Sequence, residues 1–290
     1  MGLQGVQKMQ IIEKRKIFYI ISLILIIPGV ISLFSQGLNL GIDYRGGSII
    51  NVRIEDKAQV NPADVREVLA DVNLEKAEVQ KSGNDFYIRT SELNQEQTNE
   101  LMATLKDNFE KVEFLGAESV GATIGSELTR NALLSLLIAG ILMLIYITYR
   151  FEWAYGVAAV LAILHNVLVV LGIFSLFQWE ISSSFIAAVL TIIGYTINDT
   201  IIIFDRVREN IRMKRKDSFE LLLNKSVMQT LNRTINTVLT TILPLIALLM
   251  FGGATIKFFM LAMLIGFVVG AYTSIFISSP LLYEIKNKAA

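Results

Sequence analysis

The feature that most constrains this chain is a series of apolar runs too long for a water-soluble core. A run of about 18 or more residues with few charges reads as a membrane-spanning helix. Residues 17–34, 131–149, 154–177, 183–204, 231–251 and 256–281 all qualify. In hydrocarbon the backbone must satisfy its own hydrogen bonds, so these runs are expected to be helices. A composition of 53% hydrophobic against 18% charged residues, with mean hydropathy of +0.54, agrees with a polytopic membrane protein.

Several functions are excluded by what the chain lacks. It has no cysteine, which removes disulfides, thiolate catalysis and cysteine-ligated metals. A single histidine, His165, leaves little for a zinc site. No phosphate-cradling GxxxxGK[ST] loop is present, and a net charge of zero gives no electrostatic case for nucleic acid. We expect no cofactor and no metal, and a membrane protein that is not a bond-making enzyme.

The first span follows Glu13-Lys14-Arg15-Lys16, a basic flank that places residues 1–16 in the cytoplasm. Longer than a usual signal-peptide core and without a small-x-small cleavage site, it reads as an uncleaved helix. Residues 35–125 then form a soluble segment opened by Gly41-Ile42-Asp43-Tyr44-Arg45-Gly46-Gly47. Alternation over Ser48–Ile54 predicts a strand, and Asn61-Pro62 predicts a helix start. Strands at Ala77–Lys81 and Phe86–Thr90, a helix over Gln95–Phe109 and a strand at Lys111–Leu115 complete βαββαβ, the order of a ferredoxin-like domain. The loop over 205–230 is strongly basic, and the tail at 282–290 carries Lys286 and Lys288. The positive-inside rule therefore puts both termini and that loop in the cytoplasm and the ferredoxin-like domain outside.

The candidate functional residue is Asp199, within Gly194-Tyr195-Thr196-Ile197-Asn198-Asp199-Thr200. A carboxylate inside a span costs from about 2.5 to well over 10 kcal/mol, so it rarely sits there without a role. The apolar run Ile201–Phe204 after it argues that Asp199 is buried rather than at the headgroups. Arg233, at the start of the fifth span, is the natural partner, with Asn236, Thr237, Thr240 and Thr241 as a polar face on the same helix. An arginine stays charged while a neighbouring carboxylate gains and loses a proton, which suits an ion-coupled conformational cycle. Asn198 and Tyr195 are expected to extend this line, and Arg206, seven residues on, is a local partner for Asp199. His165, beside Asn166 in mid-span, is a weaker relay candidate; hydrogen bonding to a neighbouring helix is the plainer role. Gly266 and Gly270 mark a close helix contact.

These stretches resemble the SecD/SecF family of bacterial protein export, and within it SecF, the smaller partner of SecD. The resemblance rests on Gly41–Gly47, on Gly194–Asn210, on Leu231-Asn232-Arg233-Thr234, and on Gly266 and Gly270 through Tyr272-Thr273-Ser274. It implies a resistance-nodulation-division fold and an accessory translocase subunit driven by proton or sodium motive force. It also implies SecD, a SecYEG-type translocon and an unfolded preprotein as partners in the bacterial inner membrane. Asp199 and Arg233 are then the contribution to an ion pathway at the SecD interface. One position departs from the family pattern: Asn166 stands where the resemblance implies an Asp after the histidine. Two rivals remain at this point, a half-transporter for a small hydrophobic molecule and a purely structural subunit whose buried pair fixes helix register.

Overall fold

The computed structural model describes residues 10–55, 60–213 and 217–289. The N-terminal end of the 1–16 segment, through residue 9, and Lys214-Arg215-Lys216 of the basic loop lie outside the described residues. The chain divides into two units, Leu40–Leu133 and the remainder.

The smaller unit starts with a short helix α2 (Ile42–Arg45), after the first long helix α1 (Arg15–Ser35). It continues with β1 (Gly47–Glu55), α3 (Pro62–Ala70), β2 (Glu78–Ser82), β3 (Asp85–Thr90), α4 (Gln95–Asn108) and β4 (Lys111–Val120). The sheet order β2-β3-β1-β4, antiparallel throughout, is the ferredoxin-like arrangement that the element order predicts. Local chemistry sets the helix starts. Asp64 accepts from the Asn61 N–H at 2.7 Å, and Asn94 and Gln97 exchange reciprocal bonds of 2.8 and 3.0 Å. Ile50, Val52 and Ile54 of β1 and Phe86 and Ile88 of β3 point to one face, where Val65, Leu69, Leu101 and Leu105 cover them. The last strand is longer than its apolar start suggests. A bulge opposite Asn51 and Val52 absorbs Leu115, and pairing resumes through Val120.

The glycine pair at the start of β1 has a steric cause. Gly46 and Gly47 take φ of 77° and 135°, and a Cβ on Gly47 would sit 2.5 Å from the Thr90 carbonyl oxygen.

The larger unit holds α1, the part of α5 (Ala122–Arg150) from Leu134 onward, α6 (Trp153–Leu176), α7 (Ser183–Met213), α8 (Phe219–Phe251) and α9 (Ala254–Thr273). A π-helical turn, Ser274–Ser278, joins α9 to α10 (Ser279–Ala289). Among the described residues, six helical stretches are long and apolar enough to span a membrane, the sixth running through that turn. Helices overrun the apolar segments: α7 continues to Met213 and α8 starts at Phe219, so much of the basic 205–230 segment is helical. Helix propagation needs no apolar side chain once the backbone is nucleated.

Close approach at glycine holds the bundle together. α1 and α6 run parallel, with Gly29 against Gly172 and Ser32 Oγ bonded to Ser175 Oγ at 2.7 Å. A Cβ on Gly29 would lie 2.7 Å from Gly172 Cα. On α9, Gly266 receives the Ile192 side chain of α7, and a Cβ on Gly270 would meet Thr196 Oγ1 at 2.7 Å. The expected small-residue contact is thus between α9 and α7. Because overpacking costs about 1–3 kcal/mol, Gly172→Val is expected to lower the melting temperature of the purified protein, followed by fluorescence-detected size exclusion. Gly140→Val, where nothing lies within 4 Å, should leave it unchanged.

Candidate functional site

On α7, Thr196, Asp199 and Thr200 are buried, Asp199 to 1% exposure. Asn198, about 100° round the helix, is exposed. Cross-helix bonds hold α7 and α8 antiparallel in step. Tyr195 Oη meets Thr241 Oγ1 at 3.3 Å, Arg206 Nε donates to Gln229 at 2.6 Å, and Asn210 Nδ2 donates to Ser226 at 2.8 Å. This register sets Asp199 level with Thr237, with Arg233 and Thr234 about one turn away toward Arg206.

The expected partners are brought near without being joined. The Arg233 guanidinium is exposed and within coulombic range of Asp199, but no ion pair of 4.0 Å or less links them. Asp199 Oδ2 is buried and has no hydrogen-bond partner among the described residues, and neither has Thr234 Oγ1. Buried polar atoms are normally satisfied, so a buried carboxylate oxygen without a partner is unusual.

Other expectations are corrected. Arg206 does not reach Asp199: it pairs with Glu209, one turn on, and bonds Gln229 on α8. Asn198 and Asn236 are exposed and extend no buried line from Asp199. Tyr195 turns instead to α8 and α9, its ring 4.3 Å from that of Phe267. Asp205 and Arg206 lie within α7 rather than at its end, and Asp205 pairs with Arg150 at 3.5 Å.

A second polar group surrounds His165, and its hydroxyl partners were missed in the sequence. His165 Nδ1 bonds Thr273 Oγ1 at 2.9 Å, while Nε2 is buried without a partner among the described residues. Asn166 Nδ2 donates to Thr196 Oγ1 at 2.7 Å and to the Gly266 carbonyl at 3.1 Å. Ser274, the first residue of the π-helical turn, bonds Thr200 Oγ1 at 3.0 Å and the Thr196 carbonyl at 3.2 Å. Successive residues Thr273 and Ser274 therefore tie α6 and α7 to one helix. The i, i+4 spacing of Thr196 and Thr200 is visible in the sequence; the π-helical turn that meets them is not.

The chain matches two family models: "Protein export membrane protein SecD/SecF, C-terminal" over residues 100–288, and "SecD/SecF GG Motif" over residues 31–58. Protein translocase subunit SecF of Sebaldella termitidis is 41% identical over 284 residues, covering 96% of this chain and 92% of that relative. Protein translocase subunit SecDF of Thermus thermophilus is 38% identical over 264 residues, covering 88% of this chain and 36% of that one. The crystal structure of SecDF from Thermus, titled a translocon-associated membrane protein, superposes with a TM-score of 0.88 at 37% identity. That match covers 95% of this chain and 38% of the SecDF chain. Six spanning helices, a ferredoxin-like unit entered through paired glycines and these matches define a protein-export membrane protein. The chain belongs to the SecD/SecF family, and its full-length similarity is to translocase subunits of the SecF kind.

The surroundings of Asn166, where the resemblance implies an Asp, suit the amide. Both acceptors it faces need a donor, because Thr196 Oγ1 already donates to the Ile192 carbonyl. A carboxylate there would oppose lone pairs, and leaving buried groups unpaired costs about 1–3 kcal/mol, more when charged. Asn166→Asp is expected to lower the thermal stability of the purified protein at neutral pH, whereas Asn198→Asp, on the exposed flank, should not.

Proposed function

We propose that this chain is a SecF-type accessory subunit that works with SecD to couple an ion gradient, of protons or sodium, to late preprotein translocation. The single observation that carries the reading is the Asp199 carboxylate, buried with Oδ2 unpartnered and with Arg233 in coulombic range but unpaired. A closed salt bridge would hold Asp199 permanently charged. An open one leaves it to take up a proton or cation and give it back, while Arg233 keeps its charge throughout.

The exposed polar stripe of Arg233, Asn236 and Thr240 on a spanning helix supports a partner at this face. In lipid such groups turn toward protein or water, and the fused SecDF relatives make SecD the natural occupant. With the basic helix ends and both termini in the cytoplasm, the ferredoxin-like unit lies outside. There it meets the exported chain beside a SecYEG-type translocon in the inner membrane.

The reading is tested with Asp199→Asn in cells, with levels of the subunit and of SecD followed alongside. Export is expected to fall at least tenfold, about 1.4 kcal/mol in the rate-limiting step, while levels and complex stay normal. Intact export would overturn the ion-pathway role of Asp199, and a lost complex would assign it to structure. Arg233→Lys, which keeps charge but not guanidinium geometry, is expected to recover part of the export that Arg233→Gln loses.

A further inference from the structure

At one end of the larger unit, a cavity of about 310 Å³ is lined by Arg150, Asp205, Arg208, Glu209, Arg212 and Met213. Three guanidiniums face two carboxylates, and both carboxylates are already engaged. Asp205 pairs with Arg150, and Glu209 pairs with Arg206, which is outside the cavity. Arg212 holds no ion pair among the described residues. The cavity therefore keeps unspent positive charge.

The arginines are also held in place. Arg150 and Arg208 both lie over the Phe151 ring, their guanidinium carbons 5.1 Å from its centroid, and Arg208 Nη1 donates to the Arg150 carbonyl at 3.3 Å. Phe151 is itself buried against Tyr155 and Phe204. A stacked, bonded guanidinium has lost most of its rotamer freedom before any ligand arrives.

Depth decides the kind of anion. The cavity adjoins the turn between α5 and α6, both long enough to span, so it lies where hydrocarbon gives way to headgroups. Tyr149 and Trp153 flank that turn, 91% and 57% exposed, as interfacial aromatics do. Above it α5 is apolar and exposed on nearly every side, with Leu142 and Ile145 open to acyl chains.

We infer that the Arg150–Arg208–Arg212 cavity binds the phosphate of an anionic phospholipid headgroup, with the acyl chains along α5. A phosphodiester offers the paired oxygens that a guanidinium fork recognises, and basic pockets between spanning helices hold such headgroups.

The test is native mass spectrometry of the full-length protein from nanodiscs of mixed phosphatidylcholine and phosphatidylglycerol. Wild type is expected to retain phosphatidylglycerol selectively. Retention should fall about fivefold for each arginine removed, about 1 kcal/mol apiece, in Arg212→Gln and further in the Arg150→Gln/Arg208→Gln double variant. Arg212→Gln breaks no bond of the fold, so its loss of lipid cannot be ascribed to unfolding. Lys225→Gln, removing an equal charge that pairs with Asp217 elsewhere, should leave retention unchanged. Equal retention by wild type and Arg212→Gln would overturn the site, as would an equal loss in Lys225→Gln. Displacement of the lipid by inorganic phosphate would overturn the lipid assignment in favour of a free anion. None of these outcomes depends on the role of Asp199 in export.

Discussion

Hydrocarbon gives a buried polar atom no solvent to fall back on, and the larger unit is arranged around that constraint. Close approach of helices at Gly29 and Gly172, and of α9 to α7 at Gly266 and Gly270, brings hydroxyl and amide groups within bonding range of one another. Ser32 finds Ser175, Asn166 finds Thr196, and Thr200 finds Ser274 only because the intervening positions have no side chain to hold the backbones apart. Against this background Asp199 Oδ2 and His165 Nε2 stand among the buried atoms that find no partner among the described residues.

At the π-helical turn after α9, one helix meets two neighbours. An ordinary helix places consecutive residues about 100° apart, and the extra residue of the π-helical turn widens the local turn. Thr273 reaches His165 on α6 while Ser274 reaches Thr196 and Thr200 on α7, on either side of Asp199 in the chain. Thr273 and Ser274 thus join α6 and α7 at one place, and π-helical turns recur at such places.

The surfaces of the larger unit differ in what they ask for. The stripe of Arg233, Asn236 and Thr240 is polar where lipid is apolar, which suits a protein neighbour. The flank of α5 is apolar and ends in a guanidinium cluster, which suits lipid itself. Both follow from the same balance of solvation against pairing.

Much of the fold was legible in the sequence. Apolar runs longer than a span leave a chain no alternative to helices, and period-two alternation with capped helix starts leaves βαββαβ little choice of sheet. The burial of Asp199 was legible too, because apolar residues follow it for a full turn. Pair distances were not. Sequence spacing puts Arg206 on the same helical face as Asp199, but Glu209 and Gln229 compete for it and lie closer. Asn198 adjoins Asp199 in the chain and faces away from it in space. The sequence by itself determined how many times the chain can cross a membrane and which residues are costly to bury there, since both depend on side-chain type along one helix. Only the tertiary structure decided which of those costs are met, because that depends on which neighbouring helix arrives within about 3 Å.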